Sequence, residues 1–136
     1  GPKMVFQLAK IIDNIQICAP RTVQHALAPM IGKLADWREQ NRQRIAARVT
    51  VFQQALAQLD GWDLRSCGAY FGFVRHPFVG ADSVEVAQSM ACKAGVLVIP
   101  GAFFGDGQEA MLRFAFANAG RDVIAQLPGR LNTLRV

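Results

Sequence analysis

Between Gly95 and Asn118 two apolar runs, Val96-Leu-Val-Ile99 and Leu112-Arg-Phe-Ala-Phe-Ala117, flank a Gly-rich connection, which is the pattern of two paired strands in a sheet. Alternation along the second run sends Leu112, Phe114 and Phe116 to one face and Arg113, Ala115 and Ala117 to the other. Arg113 then stands as a lone cation whose neighbours along its strand are methyl groups. A planar guanidinium with free space in front of it can grip a carboxylate at two points. It can equally lie over an edge strand with its head in water. Spacing alone leaves both readings open.

The rest of the chain falls into three parts. Residues 3–35 carry two short helical patterns, Val5-Leu8-Ile11-Ile12-Ile15 and Val23-Ala26-Leu27-Met30-Ile31, broken at Cys18-Ala19-Pro20. Residues 34–59 form a long helix with Leu34, Trp37, Ile45, Val49, Phe52, Leu56 and Leu59 in one stripe, stopped by Asp60-Gly61. Beyond Trp62 the spacing predicts strands at 63–67, 69–75, 96–99 and 111–117. Helices are predicted at 82–94, behind an Asp82 or Ser83 cap, and at 120–134. On the strand 69–75, Tyr70, Gly72 and Val74 share one face; Phe71, Phe73 and Arg75 share the other. Gly68 fits a backbone position without room for a Cβ. Arg75 is assigned to solvent because His76-Pro77 ends its strand. The expected class is α+β: a small antiparallel-rich sheet covered by helices, preceded by a long interdomain helix.

Composition narrows the function classes. With 51% hydrophobic and 18% charged residues, 136 residues can bury a real core. No apolar run reaches membrane-spanning length and the start lacks a signal-peptide pattern, so no membrane partner and a cytoplasmic setting are expected. The net charge of +5 comes largely from Arg38, Arg42, Arg44 and Arg48. Helical spacing spreads these around a polar arc beside Asp36 and Glu39, without interleaved aromatics, so a solvated face is expected and no nucleic-acid partner. Cys18, Cys67 and Cys92 form no CxxC pair or metal spacing and read as buried free thiols. His25 and His76 lack companions at ligand spacing and read as ordinary structural or surface histidines.

Three blocks, Gly68-Ala-Tyr-Phe-Gly-Phe73, then Gly95-Val-Leu-Val-Ile-Pro-Gly101 with Phe104-Gly105, then Leu112-Arg-Phe-Ala-Phe-Ala117, resemble in order and spacing the small domain of class I/II aminotransferases, aspartate aminotransferase-like enzymes of fold type I. The resemblance covers essentially the whole chain but only about the last third of a family subunit. It implies pyridoxal phosphate as cofactor of the parent enzyme and transfer of an amino group between an amino acid and a 2-oxo acid, in a homodimer. It also implies that Arg113 binds the substrate's α-carboxylate. Tyr70, Phe71 and Phe103 would line the substrate pocket, although core packing is the default for such aromatics. Arg21, in Cys18-Ala-Pro-Arg-Thr-Val-Gln24, would approach the partner subunit's site, a surface role being the plainer alternative.

The resemblance also implies what is missing. The family's Schiff-base lysine lies in a Ser-rich segment, a context that Lys3, Lys10, Lys33 and Lys93 all lack. No catalytic residue is therefore assigned. The chain is expected to be a C-terminal portion, inactive alone and without bound cofactor. Residues 1–35 would pack on a large domain not included here, and 36–136 would be the small domain with its connecting helix. A lyase or decarboxylase of the same fold, or the ligand-sensing domain of a transcriptional regulator, is the alternative that this resemblance leaves open.

Overall fold

Asp60-Gly61 turns the chain out of a long helix because only glycine adopts its φ of +75° at no steric cost, and a Cβ there would press on the Pro77 side chain. The computed structural model describes residues 1–15 and 19–136. The chain forms two units, Gly1–Gln40 and Asn41–Val136.

The first unit holds α1 (Pro2–Ile15), α2 (Arg21–Leu27), a 3₁₀ turn (Ile31–Leu34) and the start of α3 (Ala35–Leu56). None of the residues of α1 or α2 is buried. Val5, Leu8, Ile11, Ile12 and Ile15 each stand more than half exposed. The break expected at Cys18 lies outside the described residues.

The second unit is a four-stranded antiparallel sheet backed by helices. Its strands are β1 (Asp63–Gly68), β2 (Phe71–Arg75), β3 (Ile99–Pro100) and β4 (Met111–Phe114), in the order β1-β2-β4-β3. The core collects on one sheet face, where Val74, Leu112 and Phe114 meet Phe52 and Leu56 of α3, Leu59 in the turn after it, Val86 of α4 (Ser83–Ser89) and Met90 just beyond that helix. Ile124 of α5 (Arg121–Ile124), Leu127 and Leu131 of α6 (Leu127–Leu131), and Leu134 complete it. The Phe52 ring lies 5.5 Å from those of both Phe114 and Phe116.

The α+β class is as expected, and several boundaries differ for physical reasons. α3 stops at Leu56, and the chain tightens through Leu59 N–H to Leu56 C=O before Gly61. Trp37, expected in the buried stripe, is 60% exposed, because that end of the helix lies in the other unit. The helix expected at 82–94 starts under Asp82, whose carboxylate accepts from the Val84 and Glu85 amides. It widens into a π-type turn at Met90–Ala94 and ends at Gly95 with φ +63°. The helix expected at 120–134 is two short ones, because Pro128 lacks the N–H that a continuous helix needs. The strand expected at 96–99 pairs only at Ile99–Pro100. That expected at 111–117 ends at Phe114, where Ala115 turns the chain into a 3₁₀ segment that still buries Phe116.

Other expectations are corrected at particular residues. A Cβ on Gly68 would meet open space; the crowded glycine is Gly72, against the Phe52 ring. Cys92 is exposed and Cys67 half-buried, neither being a core thiol; Cys18 lies outside the described residues. Arg48 is not merely solvated, since its Nη1 donates to the Ala117 carbonyl.

Candidate functional site

The antiparallel register sets Arg113 directly between Phe73 on β2 and Ile99 on β3. Directly paired residues point to the same side of a sheet, so all three leave the face opposite Leu112 and Phe114. Phe71, two residues before Phe73, is a diagonal neighbour within reach of a long side chain. The chain leaving β3 turns through a 3₁₀ segment, Gly101–Phe104, and returns an aromatic to the same place. Gly101 permits that turn, for a Cβ there would strike the Gln108 and Met111 carbonyls.

The guanidinium carbon of Arg113 consequently lies 4.4 Å from the centre of the Phe71 ring and 4.8 Å from that of Phe104. Both distances fall within cation–π range. The Phe104 ring is itself edge-on to Phe73 at 6.0 Å. The Nε of Arg113 is sealed from solvent with no hydrogen-bond partner, and no carboxylate among the described residues pairs with the side chain. A charge held by ring quadrupoles and no anion keeps its bidentate capacity for a carboxylate that arrives from outside.

The predicted site residues separate into groups. Arg113 and Phe71 are in contact. Tyr70 is not on the Val74 face, because it sits in the tight turn between β1 and β2, exposed and edge-on to Phe71 at 6.4 Å. That turn holds Ala69 at φ +48°, the one non-glycine of positive φ among the described residues. Phe103 is 69% exposed beside Phe104. Arg21 belongs to the other unit, where its Nε donates to His25 Nε2 at 3.3 Å and it lines a shallow cleft with Gln24. Sequence reasoning left Phe103 and Phe104 comparable, each half core plug and half pocket wall; the signal that singles out Phe104 lies in β3–β4 pairing, which folds the following turn back over Arg113.

Other features lie apart from this cluster. A cleft of about 280 Å³ between Phe52, Val96, Ile124 and Arg130 includes none of the Arg113 contacts just described. A second, of about 350 Å³, is not wholly apart: it adjoins the cluster at Phe73 and is lined by Arg65 and Arg75 as well. His76 is buried with both ring nitrogens unpartnered. Burial pushes its pKa down, aided by nearby Arg75; the Glu109 main chain and the Asp82 charge oppose. No group of three or more His, Cys, Asp or Glu among the described residues could hold a metal. No described helix is long and apolar enough to cross a membrane.

An antiparallel sheet backed by helices is the α+β arrangement that the three sequence blocks led us to expect. The sequence profile of the family "Aminotransferase class I and II" matches residues 2–131. Two relatives are similar at 27% identity over 104 residues, covering 75% of this chain and 27% of their own length: aromatic-amino-acid aminotransferase 2 of Thermococcus litoralis and aspartate aminotransferase of Pyrococcus abyssi. Among solved structures, N-succinyldiaminopimelate aminotransferase from Mycobacterium tuberculosis superposes with a TM-score of 0.71 at 24% identity, over 90% of this chain and 33% of that one. That likeness concerns the fold. The chain belongs to the class I and II aminotransferase family. It spans about a quarter of the length of the curated relatives it matches.

Proposed function

We propose that this chain is the substrate-carboxylate side of a pyridoxal-phosphate-dependent aminotransferase, which moves an amino group between an amino acid and a 2-oxo acid in a cytoplasmic homodimer. The observation that carries the reading is Arg113, packed on Phe71 and Phe104 with no anion of its own. In this reading Arg113 grips the α-carboxylate in two-point fashion, and so orients the substrate rather than making or breaking bonds. Tyr70, Phe71 and Phe103 border the substrate, and Arg21 serves the partner's site. Residues 1–35, with their exposed apolar face on α1, pack on the large domain of the whole protein.

The residues of this chain do not fit the cofactor as its holders. In the Asn41–Val136 unit the one lysine, Lys93, donates from Nζ to the Arg135 carbonyl at 2.8 Å on the exposed surface. Cofactor binding and proton transfer are therefore assigned to parts of the protein outside this chain, and the chain alone is inactive.

The test is transfer of a ¹⁵N label from an amino acid to a 2-oxo acid by the full-length protein supplied with pyridoxal phosphate. Label in the product amino acid supports the reading. Release of ammonia without transfer would instead indicate a lyase.

A further inference from the structure

We propose that Ser83 is a positioning residue for the carboxylate clamp: its hydroxyl pins the turn that carries Phe104 onto Arg113. This rests on the reading of Arg113 as the α-carboxylate clamp and adds what holds the clamp in place. Ser83 is the first residue of α4 and is 0% exposed. A buried hydroxyl costs stability unless it is hydrogen-bonded. Here the bond leaves the helix: Ser83 Oγ accepts from the Ala102 amide at 3.1 Å. Ala102 stands two residues before Phe104 in the 3₁₀ turn Gly101–Phe104.

That turn has no cap of its own. A 3₁₀ turn leaves its first amides without a partner inside it, and Pro100, which precedes it, offers no side-chain acceptor. Ser83 supplies the acceptor from α4. The first turn of α4 is itself fixed by Asp82, which accepts from the Val84 and Glu85 amides at 2.7 and 3.0 Å. On the far side the chain leaves Phe104 through Gly105, at φ +125°, where a Cβ would stand in open space. The backbone of the turn is therefore anchored at its entry. Anchored there, Phe104 keeps its ring 4.8 Å from the Arg113 guanidinium carbon and edge-on to Phe73 at 6.0 Å. Without the bond the turn loses its tie to α4, and the ring is free to leave the cation. Arg113 then keeps its charge but loses one of the two rings that orient its fork.

The experiment measures kcat/KM of the full-length enzyme on the faster of L-phenylalanine and L-aspartate, and on the amine that lacks its α-carboxylate (phenethylamine or β-alanine). Ser83→Ala should lower the value for the amino acid about 3- to 10-fold, the weight of one neutral hydrogen bond, and leave the amine within about twofold. In a Phe104→Leu background the same change should add less than about twofold, because the ring it positions is gone. Ser83→Cys, close in volume but a weaker acceptor, should fall between wild type and Ser83→Ala. It also carries the test if the alanine variant fails to fold. Equal losses on the amino acid and the amine would overturn the inference, since a purely structural serine moves both alike. So would a full additional loss in the Phe104→Leu background, or unchanged kinetics in both serine variants. Arg113→Ala separates the two levels. If it impairs the amino acid and spares the amine while Ser83→Ala does not discriminate, only the positioning role falls. If it impairs both alike or neither, the clamp reading falls and takes the positioning role with it.

Discussion

Phe104 sets its ring 4.8 Å from the guanidinium carbon of Arg113, although β4 pairs with β2 and β3 rather than with the segment that carries Phe104. The ring acts through position: it occupies space that a carboxylate or water would otherwise fill, and it favours one orientation of the cation. Replacing Phe104 by Leu keeps the bulk and removes the quadrupole. A cation–π contact is worth about 0.5–2 kcal/mol, so KM for the amino acid in the full-length enzyme should rise about 2- to 30-fold. Phe104→Tyr should restore most of it. Initial rates on wild type and both variants check this, with equal KM values in Leu and wild type as the adverse result.

Gly72 and Gly68 flank the same hairpin and should respond to alanine to very different extents. At Gly72 the new methyl meets the Phe52 ring, which is 1% exposed and locked against Phe114 and Phe116. Overpacking of that kind costs about 1–3 kcal/mol. At Gly68 the methyl enters open space, so the change should stay within about 0.5 kcal/mol. Thermal melts of the two variants should differ by several degrees, with Gly72→Ala the lower.

His76 makes stability depend on acid. Its folded pKa is held below the ordinary 6.5 by burial first, so the unfolded chain binds the extra proton more readily. The stability held by neutral His76 is complete above the unfolded value and is lost as pH falls below 6.5 towards the lower folded value. The ring lies 5.9 Å from Phe78, so His76→Phe should keep the packing. The melting midpoint of wild type should drop faster than that of His76→Phe between neutral pH and mild acid. Parallel curves would assign the acid response to other groups.

The isolated chain should form no specific imine with pyridoxal phosphate. Its lysines are Lys3, Lys10, Lys33 and Lys93; the last is engaged with a carbonyl at the surface. Borohydride reduction followed by peptide mapping should give at most scattered, substoichiometric label. One lysine labelled stoichiometrically would place a cofactor site in this chain.

How much of this was legible in the sequence differs from residue to residue. Period-two alternation was enough to set Leu112 and Phe114 in the core and Arg113 outside it, because side-chain direction in a strand is local; Phe116, also expected in the core, reaches it from the 3₁₀ segment beyond the strand. Phe104 was harder to see, since its contact depends on which strand lies beside β4 and on the turn that Gly101 allows. Gly72 and Gly68 were interchangeable in the sequence; what tells them apart is a ring on α3 about twenty residues earlier. The break at Pro128 was written in the sequence, yet the apolar spacing from Val123 to Leu134 reads as one continuous helix. The burial of His76 follows from its packing beside Phe78, a tertiary arrangement without a sequence signal.

The central claim is that Arg113 holds the α-carboxylate of the substrate. Steady-state kinetics of the full-length wild type, Arg113→Ala and Arg113→Lys on an amino acid and on its decarboxylated amine test this most directly. The loss of a charge-assisted bidentate pair in a closed site should lower kcat/KM for the amino acid by about two to four decades in the Ala variant. Lys should recover only part, because an ammonium is a point charge and not a planar fork. The amine, having no carboxylate, should lose little. Equal losses on the amino acid and the amine would make Arg113 a structural residue and contradict the account.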